Sequence, residues 1–198
     1  MLKIIVGGGP NGLYAAFQLF LSGLSVTLVN DRPEKYTRNQ IINIDPNYMF
    51  QLQILLGTSY SRLFFEKESP GKIVHEHGQI NLKHIETAMK DRLKGLLEYV
   101  NQKQHKKDDL LKLVFGQAVE KIKFPTTVDP NYYAVLKSSS SNHEIPFDLL
   151  VCASGFKDKI RDTYLAIPKE YTVPKNYGVA VFVKGKNYKE KSLLNKKH

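Results

Sequence analysis

The chain has no tryptophan, three methionines and a single cysteine in 198 residues. Cys152 alone cannot form a disulfide within the chain, so the disulfide-framework classes are excluded. Long apolar runs are missing as well: no stretch approaches the ~18 residues that a membrane-spanning helix needs. Acidic residues are in the minority, 19 against 29 lysines and arginines, for a net charge of +10. Such an excess fits an anionic partner or a lysine-rich solvated surface. The lysines are dispersed, arginine is scarce, and aromatic and basic residues are not interleaved. The surface reading is therefore favoured, and no nucleic-acid partner is expected. Residues 184–198 are the exception. They hold Lys184, Lys186, Lys189, Lys191, Lys196 and Lys197 against Glu190 and read as a basic tail or the start of a further region. At the other end Met1-Leu2-Lys3 runs straight into an apolar segment and leaves no room for a leader. With the lone cysteine, this predicts a reducing, cytoplasmic setting.

What the chain does have is concentrated at its start. The apolar run of residues 2–6 leads into Gly7-x-Gly9-x-x-Gly12, and a helical pattern of Leu13, Ala16, Phe17, Phe20 and Leu21 follows. Strand, glycine turn and helix in that order form the dinucleotide fingerprint in its required context. Gly7 permits the tight turn, Gly9 lets the backbone approach a pyrophosphate, and Gly12 lets the helix pack closely. The free N–H groups at the helix start, where Asn11 stands, and the positive end of the helix dipole then face the phosphates. Pro10 suits the first helical turn, where its missing N–H costs nothing. Gly23 reads as the helix stop.

Farther on, residues 24–29 read as a second strand and residues 30–50 as an irregular excursion. A short helix is expected around Gln51–Leu56, and a strand over Lys72–His77 ending at Gly78. Ile85, Ala88, Met89, Leu93, Leu96, Leu97 and Val100 mark an amphipathic helix capped by Asn81. A charged linker over residues 102–109 precedes strands at Leu111–Phe115, Ala118–Phe124 and Tyr132–Leu136. Ser138–Ser141 reads as a turn, Ile145–Ala153 as a buried strand and Gly178–Val183 as a last strand. The predicted fold class is α/β. It is a Rossmann-like parallel sheet with helices on both faces and a small antiparallel β insertion after the long helix. The domain is expected to span residues 1–183.

The end of the second strand is where such folds hold the adenosine ribose. Asn30 occupies that position and Asp31 follows it; either can bond a ribose hydroxyl, and both also suit a turn before Pro33. Arg32 fits a 2′-phosphate, another phosphate or adenine contact, or plain solvent exposure.

Gly-Gly-Gly-Pro-Asn-Gly-Leu resembles the GxGPxGL form of FAD-binding flavoproteins of the aromatic-hydroxylase type. Asp31-Arg32-Pro33 and Thr37-Arg38-Asn39-Gln40-Ile41-Ile42 are similar to a segment of MICAL-type flavoprotein monooxygenases. In that family the matching arginine and asparagine lie against the flavin, which implies cofactor contacts for Arg38 and Asn39. Asn81-Leu82-Lys83-His84-Ile85-Glu86 resembles the family's Ile-Arg-x-Leu-Gln helix start, with Lys83 in place of arginine. Asp148-Leu-Leu-Val-Cys-Ala-Ser-Gly155 resembles the family's second signature, Gly-Ala-Asp-Gly, with Ser154 in place of the aspartate and Cys152 in place of the first glycine. Ser154 and Gly155 thereby join the implied cofactor set. Ser154 brings a hydrogen bond but no charge, which bears on reduction by a nicotinamide cofactor. A third signature, Gly-Asp-Ala, has no match.

The resemblance implies an FAD-binding domain of a flavin-dependent oxidoreductase, a monooxygenase in which NAD(P)H reduces FAD and oxygen is used on an unidentified substrate. Two alternatives stay open: a non-catalytic nucleotide-binding module used for protein contacts, and an NAD(P)-binding oxidoreductase. Lys157, Lys159 and Arg161 could meet phosphates or belong to a solvated turn. His75-x-His77 would share one strand face, but no third ligand stands at a sensible spacing, so no metal is expected. His84 and His105 read as surface residues and Cys152 as an inert core thiol.

Overall fold

The computed structural model of the chain describes residues 2–35, 37, 39–104, 110–137, 143–155 and 158–165. Arg38, His105, Lys157, Ser138–Ser141, Gly178–Val183 and the basic tail lie outside the described residues. The described residues fall in one compact unit, Met1–Ile167.

Strand β1 (Leu2–Val6) is buried along nearly its whole length, which is why it reads as a continuous apolar run rather than an alternating one. Helix α1 (Pro10–Leu21) starts on Pro10 and stops at Ser22-Gly23, with Gly23 in the left-handed region at φ 73°. Strand β2 (Ser25–Asn30) then lies parallel to β1, since a parallel pair needs a crossover and α1 provides it. Next come β3 (Ile41–Ile44), α2 (Pro46–Leu56), α3 (Thr58–Phe64), β4 (Lys72–Val74) and β5 (His77–Asn81). Helix α2 is capped by Asp45, whose carboxylate accepts from Asn47 N–H at 3.0 Å, and begins on Pro46. The long helix α4 (Leu82–Gln104) follows, with Asn81 Oδ1 accepting from Lys83 N–H at 3.3 Å. Strand β6 (Leu111–Phe115) pairs parallel with β2. A meander of β7 (Val119–Lys123), β8 (Tyr132–Leu136) and β9 (His143–Phe147) leads to β10 (Leu149–Cys152) and the short helix α5 (Lys159–Tyr164).

The central sheet has the order β10-β1-β2-β6, with every pair parallel. Successive residues of a strand point to opposite faces, so β1 serves two cores. Ile5, with Val26 and Leu28 of β2, packs on Leu13, Ala16, Phe17 and Phe20 of α1 and on Ile85, Met89 and Leu93 of α4. Ile4 and Val6, with Val29, face the meander through Val119, Ile122, Ala134, Leu136 and Phe147, and reach α5 through Ile160. Burying each such side chain stabilises the fold by ~1.5–3 kcal/mol. Helical cover is therefore unequal: α1 and α4 line one face, and the other carries the antiparallel meander beside α5. Among the described residues, no helix is long and apolar enough to cross a membrane.

Two expected strands are each divided. The run Lys72–His77 stops at Val74, turns on His75 and Glu76 (φ 46° and 68°) and returns as β5. Gly78, expected to end the strand, instead sits inside β5 under Met49; a Cβ there would lie 2.3 Å from Met49 Sδ. The run Ile145–Ala153 is also two strands. β9 is antiparallel to β8 and β10 parallel to β1, with the chain re-aimed at Asp148, whose N–H donates to Leu2 O at 2.8 Å.

Candidate functional site

The three glycines between β1 and α1, and Gly12 in the first turn of α1, answer to different neighbours. Gly7 has φ 110°, and a Cβ on it would meet the Ala153 carbonyl carbon at 2.4 Å. On Gly12 a Cβ would meet Gly7 O at 1.8 Å, and on Gly8 it would meet Asn30 Cβ at 2.9 Å. Those positions are closed by the protein itself. Gly9 is not: its φ of −77° suits any residue, and the nearest atom to a Cβ there is Glu86 Oε1 at 4.0 Å. Gly9 is also the N-cap of α1, with no side-chain cap and no acidic residue in the first turn. The first N–H groups of a helix have no intrahelical acceptor. The positive end of α1 thus opens beside Gly9 without a carboxylate of its own helix to neutralise it.

Beside this turn lies a cleft of about 420 Å³ at the carboxyl ends of β1, β2 and β10. The glycine turn contributes Gly7, Gly8, Gly9, Pro10 and Asn11, and the end of β2 contributes Asn30, Asp31 and Arg32. The end of β10 contributes Ala153, Ser154 and Gly155, and Gln40, Leu82 and Glu86 complete the wall. Folding therefore gathers most of the residues picked out in the sequence into one cleft. Gly12 lies beneath it, packed on Gly7. Asn39 is not in the wall; its Oδ1 accepts from Asn81 Nδ2 at 3.2 Å and from Lys83 Nζ at 2.9 Å.

The walls are held by backbone and buried side-chain bonds. Gln117 N–H donates to Asn30 O at 3.1 Å and Gly116 N–H to Arg32 O at 2.9 Å, tying the Asn30–Arg32 segment to the loop after β6. Ser154 Oγ donates to Val6 O at 3.1 Å, and Ser154 N–H donates to Asp158 Oδ2 at 3.0 Å. Asp158, only 1% exposed, also caps α5 by accepting from Arg161 N–H at 2.9 Å. Arg161 in turn donates to Gly155 O at 3.1 Å. Arg161 thus belongs to the turn that carries Ser154 and Gly155.

Glu86, Gln40 and Asp158 were not foreseen from the sequence. A signal existed for Glu86: with Lys90 it interrupts the apolar side of α4 beside Leu82, Ile85 and Met89. Both are nearly inaccessible, at 4% and 5%. Burial raises the Glu86 carboxyl above its ordinary range, against the lowering effects of Lys90 and Arg32. Burial likewise lowers Lys90, against the raising effects of Glu86 and Glu34. The Lys90 ammonium donates to Glu34 O and lies 5.4 Å from the Phe115 ring centre.

A second, apolar cavity of about 390 Å³ adjoins at Pro10 and Asn11 and is walled by Tyr14, Ile42, Ile44, Leu52, Ile85 and Met89. His75 and His77 do not share a strand face, because the β4–β5 turn falls on His75; His77 Nδ1 lies 2.8 Å from His75 O. Among the described residues there is no group of three or more side chains able to hold a metal. The Cys152 thiol is pushed up to about 11, by burial first and then by Asp158. It is therefore almost wholly protonated, and unreactive, at neutral pH.

Neither a protein-family model nor a curated protein matches the chain. Solved structures do. The flavin-dependent monooxygenase PieE, in complex with FAD and substrate, superposes with a TM-score of 0.61 at 13% identity, over 85% of this chain and 32% of its own. A variant of P. aeruginosa PqsL superposes at 0.59 and 15% identity, over 86% of this chain and 47% of its own. A variant of 2-methyl-3-hydroxypyridine-5-carboxylic acid oxygenase superposes at 0.57 and 17% identity, over 82% and 41%. The chain spans less than half the length of each. At these identities the likeness concerns the fold: a mixed α/β architecture with a parallel sheet, similar to that of flavin-dependent monooxygenases.

Proposed function

We propose that residues 1–183 form a Rossmann-like FAD-binding domain of a flavin-dependent oxidoreductase, with monooxygenase chemistry and NAD(P)H as electron donor. The observation that carries this reading is Gly9. The described residues give no steric reason for glycine there, yet the position borders a cleft at the positive end of α1. A pyrophosphate needs that arrangement: backbone N–H groups, a helix N-terminus and no side chain in the way. The strand order, with β1 between β2 and β10, supports the same reading, since dinucleotides lie across the carboxyl ends of such strands. So does the fold likeness to PieE, which is in complex with FAD.

In this reading the N–H groups of Asn11 and Gly12 hold the pyrophosphate, and Asn30 or Asp31 accepts from the adenosine ribose. Arg32 supplies a cation at the cleft mouth. Ser154 and Gly155 close the wall toward the ribityl chain, while Arg38 and Asn39 are placed against the flavin by the family resemblance. When bound, FAD supplies the redox chemistry, and the chain's part is to bind and orient it. The purified protein is expected to be yellow and to release FAD on denaturation. A colourless protein that takes up no added FAD refutes the assignment.

Ser154 favours a second reading, a flavin-binding module without turnover. Its hydroxyl is spent on Val6 O, and it brings no charge to the wall. NAD(P)H consumption by the FAD-loaded protein separates the two.

A further inference from the structure

Glu86 stands where the proposed ligand carries its greatest charge. Among the described residues, and apart from its chain neighbours and its own helix backbone, Glu86 Oε1 is the nearest atom to where a Cβ on Gly9 would stand, at 4.0 Å. It lines the same cleft and is almost completely removed from solvent. Two like charges brought this close repel, and the cheapest relief is a proton.

We propose that Glu86 is a proton switch of the cleft: a pyrophosphate-bearing nucleotide binds with uptake of a proton from solvent by the Glu86 carboxylate, so occupancy falls as pH rises. This rests on the reading of the cleft as a dinucleotide site. Its surroundings fit the role. Among the described residues, the charged groups facing Glu86 are Lys90 on its own helix and Arg32 from the segment after β2, with Asp31 in the same wall. The start of α1 and the end of β10 add no titratable group to that wall: Gly9, Pro10, Asn11, Ser154 and Gly155 are neutral. Lys90 is drawn toward Glu34, whose backbone carbonyl it meets, so its charge is shared. Burial outweighs both cations and already raises the carboxyl in the free protein. A bound pyrophosphate raises it further. The sign follows: affinity is complete where Glu86 is protonated in both states, below its free-protein value. It is lost as pH rises through the range between that value and the bound one.

The test titrates FAD, whose doubly esterified pyrophosphate takes up no proton in this range, into the full chain and into Glu86→Gln between about pH 5 and about pH 8, bracketing a raised carboxyl. Calorimetry in buffers of different ionisation enthalpy counts the protons taken up. For the wild type, Kd should weaken by up to about tenfold per pH unit, with uptake approaching ~1 proton. Glu86→Gln should bind more tightly at the upper end, with the slope and the uptake abolished. A pH-independent wild-type Kd overturns the proposal while leaving the flavin site intact. So does a variant that keeps the slope, or one that binds more weakly throughout, which would make Glu86 a hydrogen-bond acceptor for the ligand. If neither protein binds FAD at any pH, the dinucleotide reading fails and the switch falls with it. A wild type with no slope and no proton uptake overturns the switch even if Glu86→Gln does not fold.

Discussion

Gly9 and Gly12 lie three residues apart in one motif and meet opposite environments. At Gly12 a methyl group would drive into Gly7 O, backbone that cannot move without opening the turn. Gly12→Ala should therefore destabilise the fold by about 2 kcal/mol or more, an overpacking cost, and lower the melting temperature clearly. At Gly9 a side chain meets only the cleft. Gly9→Val should cost about 1 kcal/mol or less, the loss of a glycine N-cap, yet weaken FAD binding at least ~100-fold by filling the phosphate position. Thermal melts and FAD titrations on the two variants should thus move in opposite proportion. The fingerprint already gave the two glycines different roles; the packed chain shows which neighbours close Gly12 and that none of the described ones closes Gly9.

Among elements, the β10–α5 corner shows how a side chain outside the cleft sets its shape. Asp158 receives Ser154 N–H and Arg161 N–H at once and is buried. Asp158→Ala leaves both donors unpaired, with an expected loss of about 1–3 kcal/mol and weaker FAD affinity, because the Ser154–Gly155 wall loses its anchor. Asp158→Asn should recover much of both losses, which a denaturation series beside FAD titrations would show. The same scale accounts for the two divided strands. Strands β4 and β5 are joined by a turn on His75 and Glu76, residue types that give little turn signal, while the glycine expected to end the strand packs against Met49. Strands β9 and β10 read as one run because both bury apolar side chains, and the sequence pattern does not reveal that their hydrogen-bonding partners change at Asp148. Elements with a helical period or a glycine-flanked apolar run, such as α1, α4 and β1, were legible throughout.

At the scale of the molecule, the described residues form two cores separated by one sheet. Phe17 lies at the centre of the helical core and Leu136 in the meander core. Phe17→Ala should cost about 3–5 kcal/mol and Leu136→Ala about 2–5 kcal/mol. Their sum should hold within ~0.5 kcal/mol in the double variant, since the two sites share no cavity. Equilibrium denaturation tests this, and a strong deviation would mean that the sheet transmits repacking from one face to the other. The sequence by itself determined the start of the fold. An apolar strand, a turn of glycines and a helix are local features, written in consecutive residues and enforced by backbone sterics. It also marked Asn30, Asp31, Arg32, Ser154 and Gly155 as the chemistry beside that turn. Only the tertiary structure decided that these segments, more than a hundred residues apart, share one cleft. It alone brought Glu86 into the wall and bonded Asn39 to Asn81 and Lys83. Those outcomes depend on which strand lies beside β1 and on how α4 crosses the sheet, and both are set by long-range packing of side chains rather than by any local pattern.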